Sequence, residues 1–254
     1  MQNDFPAGVV NDVSHRPWAL PERGWIMKQS WHDLLFAHWP LSVNGLRERI
    51  PSGLDIDQFD GNAWLGVIPF HMTNVTPRAI PALPWVSAFP ELNVRTYVTY
   101  AGKPGVFFFS LDAANPLAVA VARVLFHLPY YRAAMDVAAD GDGIRYQSRR
   151  TSGGSAAFNA RYRPIGPTFN ANPGTFEYFL TERYCLYSAD HSRRLRRVEI
   201  HHPPWALQRA EALIEHNTMA DASGIRLPAT TPLFHFAKRQ DALTWAPTLL
   251  GGRR

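Results

Sequence analysis

The chain has 254 residues, of which 46% are hydrophobic and 13% aromatic, with a net charge of +5 at pH 7. That is enough apolar material for a full core, which excludes a disordered chain, and no apolar run reaches the roughly 18 residues of a membrane-spanning helix. Cys185 is the single cysteine, so an internal disulfide is excluded and a cytoplasmic location is expected; the basic charge, with three lysines (Lys28, Lys103, Lys238) among 26 Lys and Arg, reads as a solvated surface.

The first residues lack the charged and apolar blocks of a signal peptide. They read as a loose arm over 1–20, ahead of a single domain over 21–247 and a tail over 248–254. Trp25 to Asp33 alternates as a strand, and the apolar run LLFAHW after it stops at Pro40. Ser42 is placed to cap a short helix through Ile50, before Pro51 and Gly53. A turn at Asp60-Gly61 leads to a strand from Asn62 to Phe70 that is apolar on both faces, the mark of a fully buried strand. Pro77, Pro81, Pro84 and Pro90 predict a loop over 76–90, packed by Trp85 and Phe89.

From Glu91 the pattern is clear. Glu91, Asn93, Arg95, Tyr97 and Thr99 alternate with Leu92, Val94, Thr96 and Val98 as a two-faced strand. A turn over 101–105 returns the chain into VFFFSLD. Asn115 caps and Pro116 opens a helix whose Leu117, Val121, Val124, Leu125 and Leu128 recur at helical spacing, the pattern of a scaffold helix packed on a sheet. A meander follows: AAMDVAA and IRYQSRR flank Asp140-Gly141-Asp142-Gly143, AAFNARYRP forms another strand, and GTFEYFLTE a short helix. YCLYS pairs with LRRVEIHH, AEALIEHN reads as a strand before a helical MADAS, and PLFHFA with ALTWAP is expected as a last hairpin. About ten strands joined mostly as hairpins predict a mainly β (α+β) fold, an antiparallel sheet or barrel.

WHDLLFAHWP, WLGVIPF, ELNVRTYV, LTERYCLYS and IHHPPWALQ together resemble the YqjF-like family of bacterial proteins, a domain of unknown function, from about Trp18 to Trp245. That family is similar to the acetoacetate-decarboxylase-like superfamily, carried here by GLRERIPSGLDID and by the block from Glu91 to Tyr131. The resemblance implies a closed, largely antiparallel β-barrel with its site inside. It places Glu91 where the decarboxylases have an active-site glutamate. Tyr130 and Tyr131, after Pro129, fall where they have the lysine pair that supplies the Schiff-base amine. Their second site glutamate belongs to the strand resembling 62–70, which has no acid. Tyrosine forms no imine, Lys103 sits in a Pro-Gly turn, Lys28 has no cationic neighbour in sequence and Lys238 lies near the chain end. The residues therefore speak against a Schiff-base decarboxylase.

If the Glu91 face looks into the barrel, it makes a polar row. Arg95 then holds an anion bidentately, Glu91 serves as general acid or base, and Asn93, Tyr97 and Tyr131 line the ligand. Tyr130 has a phenol suited to polarising a carbonyl. Two bland alternatives stay open: a solvent-facing row, or Glu91 paired with Arg95 for structure; the tyrosines equally fit a core. Glu182-Arg183 reads as a helix-ending ion pair. His201 and His202 point to opposite faces of a strand, so no metal site is expected. No phosphate loop, dinucleotide fingerprint or nucleophile elbow is present, so no cofactor is expected. Arg193, Arg194, Arg196 and Arg197 flank a turn without interleaved aromatics, which argues against nucleic acid. The expected function is a barrel binding a small organic acid or carbonyl compound, with lyase- or hydrolase-like acid/base chemistry. A non-catalytic ligand-binding or sensory barrel is the alternative, no membrane partner is expected, and homo-oligomerisation is left open.

Overall fold

A computed structural model describes residues 8–9, 12–78, 87–190 and 192–251. The strand read from Glu91 to Thr99 is β4 (Phe89–Tyr100), flanked by β3 (Ala63–Pro77) and β5 (Lys103–Ala113). Before them come β1 (Met27–Leu41), the short helix α1 (Val43–Arg47) and β2 (Asp55–Ile56). Ser42 caps α1 as its position predicts, its Oγ accepting from Gly45 N at 3.2 Å. Next is α2 (Pro116–Phe126), where Asn115 Oδ1 accepts from Leu117 N and Ala118 N at 3.0 and 3.1 Å. The meander is β6 (Tyr130–Asp140), β7 (Gly143–Arg150) and β8 (Ala157–Phe169), with α3 (Phe176–Thr181) after it. The chain ends with β9 (Cys185–Ala189), β10 (Leu195–His201), β11 (Leu207–Asn217), β12 (Leu233–Thr244) and β13 (Thr248–Leu249).

The described strands form one 13-stranded sheet that closes on itself twice. β12 pairs along its length with β1, through residues 235–237 with β11, and through Leu243 and Thr244 with β10. β5 pairs along its length with β4, through Leu111–Ala113 with β6 and through Val106 and Phe107 with β9. The row β12-β1-β3-β4-β5 is thus common to two circuits. The smaller closes through β9 and β10, the larger through β6, β7, β8 and β11. The pairings of β5 with β6 and with β9 are parallel, so the ring is mixed rather than purely antiparallel.

Strand alternation gives the shared row two different faces. Leu92, Val94 and Val98 of β4 enter the core of the larger circuit with Tyr146, Phe158 and Tyr162. Tyr97, on the opposite face, joins Leu186, Val198 and Ile200 of the smaller one.

Four expectations need correction. PLFHFA and ALTWAP are one continuous strand, β12, because Lys238-Arg239-Gln240-Asp241 between them holds no Gly, Pro or Asn to reverse the chain. The apolar positions of α2 do not seat on the sheet: Leu117, Val121, Val124 and Leu125 are 53, 45, 72 and 55% exposed, while Val119 and Phe126 are buried. The predicted loop over 76–90 is shorter, since β3 runs to Pro77 and β4 begins at Phe89; Pro81, Pro84 and Trp85 lie outside the described residues. The described part of the N-terminal arm is anchored rather than loose. The Arg16 guanidinium donates to Ile200 O at 2.7 Å, and Trp18 Nε1 donates to Glu199 Oε2 at 2.8 Å.

Candidate functional site

Within the smaller circuit lies a cavity of about 260 Å³. Its walls are mainly rings and aliphatic groups, among them Trp31, Phe70, Phe89, Phe108, Leu180 and Trp205. Its polar lining is Glu91, Asn93 and Arg95, odd-numbered residues of β4, together with Gln29, Tyr130, Thr181, Arg183, His202 and Thr244.

Glu91 is 3% exposed, and burial pushes its carboxyl up to about 8 against the opposing hydrogen bond from Tyr130; Asp112 adds a smaller upward push. At neutral pH the group is therefore mostly a neutral acid. Tyr130 Oη lies 2.9 Å from Glu91 Oε2. When Glu91 is ionised, the pair shares one hydrogen, donated by the phenol. When Glu91 is protonated, the pair holds two, and one of them is free for a third partner. The backbone here is fixed from behind, because the Tyr146 hydroxyl donates to Glu91 O at 2.7 Å.

Asn93 is 5% exposed, and its Oδ1 has no partner. The Arg95 guanidinium lies 5.5 Å from the Phe36 ring and 5.6 Å from the Tyr97 ring. One terminal nitrogen donates to Leu180 O at 3.4 Å, while Nε is buried without a partner. Its closest carboxylate relation expected from sequence, a pair with Glu91, is not made. Arg95 forms no ion pair among the described residues and is a cation beside a cavity without a counter-charge. Trp205 Nε1, also in the lining, is a third buried polar atom without a partner.

Two of the six singled-out residues stand elsewhere. Tyr97 is fully buried behind the wall, its hydroxyl sharing a 2.6 Å hydrogen bond with His38 Nε2. Burial holds the His38 imidazole well below its usual range, with Arg95 and His235 pushing the same way. Tyr131, next to Tyr130 on a strand, faces the other side. Its ring lies 3.9 Å under the Arg150 guanidinium, which holds the buried Asp112 bidentately at 2.7 and 2.6 Å.

Glu182 and Arg183 do not pair with each other, because neighbouring residues at the helix end diverge. Arg183 donates to Asp57 Oδ2 and Phe179 O, each at 2.5 Å, while Glu182 accepts from the Tyr184 hydroxyl and from Trp205 N at 3.1 Å. His201 and His202 do diverge. His201 Nε2 lies 2.6 Å from Val9 O, whereas His202 reaches the cavity; burial pushes both down to about 4. Among the described residues no group of three His, Cys, Asp or Glu is placed to hold a metal ion.

No lysine lines the cavity. Lys238 pairs with Asp33 at 2.6 Å, Lys103 lies 4.0 Å from Glu199, and Lys28 stands between the lining residues Met27 and Gln29 without joining them. Cys185 is buried, and that burial pushes its thiol up to about 12. At the basic turn, Arg194 and Arg196 pair with Asp190, and Arg197 with Glu199. No described helix is long and apolar enough to cross a membrane.

Gln29, Arg183, His202 and Trp205 were not legible as site residues. Trp205 and His202 lie in IHHPPWALQ, but no spacing there signals a shared cavity.

The chain belongs to the DUF2071 family of uncharacterized conserved proteins, whose model matches residues 28–241. It is 52% identical over 227 residues to the uncharacterized protein YqjF of Bacillus subtilis, covering 89% of this chain and 93% of that one. Among solved structures it is similar to the acetoacetate decarboxylase of Legionella pneumophila, with a TM-score of 0.60, 12% identity, and 99 and 98% of the two chains covered. It is also similar to the enduracididine biosynthesis enzyme MppR complexed with pyruvate, with a TM-score of 0.62, 11% identity, and 91 and 92% coverage. The fold is that of the acetoacetate-decarboxylase-like enzymes.

Proposed function

We propose that this member of the family binds a small organic acid or carbonyl compound in the cavity of the smaller circuit and acts on it without a lysine. The observation that carries the reading is Arg95. A guanidinium beside an apolar cavity, with no carboxylate partner and with Glu91 held neutral, gives the interior a net positive character that a carboxylate complements. A pyruvate complex of a protein with this fold is in keeping with such a ligand.

In this reading Arg95 anchors the acid and Asn93 orients it by turning its side-chain amide so that the NH2 group donates to a ligand oxygen. Glu91 is the proton donor at neutral pH, and the second hydrogen of the Glu91–Tyr130 pair is directed to a ligand oxygen as charge develops there. Tyr97 and His38 act behind Arg95 by holding the ring on which its guanidinium rests. A panel of 2-oxo acids, each beside its amide and alcohol, tested by thermal shift and calorimetry, examines this. Stabilisation by the acids and its loss in Arg95→Gln are expected. Equal response to acid and amide, or indifference to Arg95→Gln, would sink the proposal.

The second reading is a barrel that binds without chemistry, and the lining's lack of a lysine favours it. Ligand recovered unchanged after long incubation supports that alternative. Turnover that disappears in Glu91→Gln while binding persists supports the acid/base role.

A further inference from the structure

We infer that the acid taken by this cavity has an extended apolar body: a monocarboxylate of medium chain length, or one carrying an aryl group. The inference deepens the function proposed above and rests on it.

Three observations carry it. The first is the spread of the polar groups. Glu91 and Arg95 are four residues apart on one strand, about 13 Å along the chain. Arg95 also leans away from Glu91, toward α3, where it donates to Leu180 O. A three-carbon acid held by Arg95 stops short of the Glu91–Tyr130 pair, so an acid that fills the interval needs a longer body. The second is the lining of that interval. Trp31, Ile68, Phe108, Leu111 and Trp205 surround the polar row with surface that only an apolar body complements. The cavity volume, about 260 Å³, equals the liquid volume of about nine waters, more than a three-carbon acid fills.

The third is the mouth. Leu117 and Val121 of α2 both line the cavity and stand 53 and 45% exposed, so the cavity opens to solvent beside them. Val124 and Leu125 continue the same apolar surface outward. A polar metabolite gains nothing from such an approach, whereas an apolar tail is desolvated along it. The exposure of α2, unexplained if the helix is scaffold, follows if it borders a mouth for apolar ligands.

Calorimetry at pH 7 with propanoate, pentanoate, heptanoate, nonanoate and 3-phenylpropanoate tests this. Affinity is expected to rise about fourfold per added methylene until the cavity is filled, with heptanamide at least about tenfold weaker than heptanoate. Val121→Gln, at a half-exposed position that accepts a polar side chain, flattens the long end of the series. A series that stays flat or falls with length, while short acids still bind in an Arg95-dependent way, overturns this inference and leaves the proposed function standing. Failure of acids of every length, or binding indifferent to Arg95→Gln, overturns both.

Discussion

On one face of β4, Leu92, Val94 and Val98 are shut into a core of rings and aliphatic side chains. On the other, Glu91, Asn93 and Arg95 border a cavity with groups that have few partners or none. The backbone between them is the same, and so is its pairing to β3 and β5. What differs is the closure of the sheet. The larger circuit brings Tyr146, Phe158 and Tyr162 down onto the first face, while α2 leaves a mouth over the second. On the first side the buried charge and the buried carbonyl are answered, as Arg150 answers Asp112 and Tyr146 answers the Glu91 carbonyl, and only two small hydroxyls, Ser110 Oγ and Ser148 Oγ, are left over. On the second side Asn93 Oδ1, Arg95 Nε and Trp205 Nε1 are not. One face is built for stability and the other carries unspent interaction capacity, the signature of a binding surface.

Substitutions can break or sharpen that contrast. The largest effect is expected from Arg150→Ala, which strands the fully buried Asp112 without its partner and should cost about 3–5 kcal/mol in urea unfolding. Leu92→Ala, on the packed face, should cost about 2–5 kcal/mol by the same measurement. On the cavity face the behaviour depends on pH. The Glu91 carboxyl is raised from 4.5 to about 8 in the folded chain. The folded state therefore binds the extra proton between those values, and the contribution is whole below pH 4.5 and lost as pH rises toward 8. The buried histidines act in the opposite sense below pH 6.5, because their depressed values withdraw stability as pH falls. Glu91→Gln should thus gain on the parent between pH 6.5 and 8, by up to a few kcal/mol. Parallel stability–pH curves for the two chains would contradict the neutral acid. The smallest effect is expected at Asn93→Leu, which replaces an unanswered amide by an apolar group and should shift stability by less than about 1 kcal/mol, while abolishing acid binding in the calorimeter.

The β4 row was legible because its period of two is unbroken over nine residues, and the Asn115-Pro116 opening of α2 because a cap and a fixed φ leave little choice. Which way the row faced was not legible. That depends on β9 and β10, some ninety residues downstream, curling onto the Glu91 side. For the same reason Tyr130 and Tyr131 looked equivalent, and only the pairing of β5 with β6 sends one into the cavity and the other under Arg150. The helical repeat of α2 is plain in the sequence, but periodicity reports an apolar stripe and not what covers it. The last hairpin is absent because Lys238-Arg239-Gln240 offers no Gly, Pro or Asn to turn the chain, and two apolar runs separated by polar residues fit one long strand equally well.

The double membership of β12 sets the order in which this molecule can come into being. β1, at residues 27–41, has no partner on one edge until residues 233–244 exist, and neither circuit is closed before then. The hairpins between can form during synthesis, but the sheet waits with open edges until β12 arrives, and the step that closes it joins strands far apart in sequence, β1 and β12. A protein so arranged is expected to fold slowly, to lean on chaperones while nascent, and to lose both compartments together when β12 is cut away.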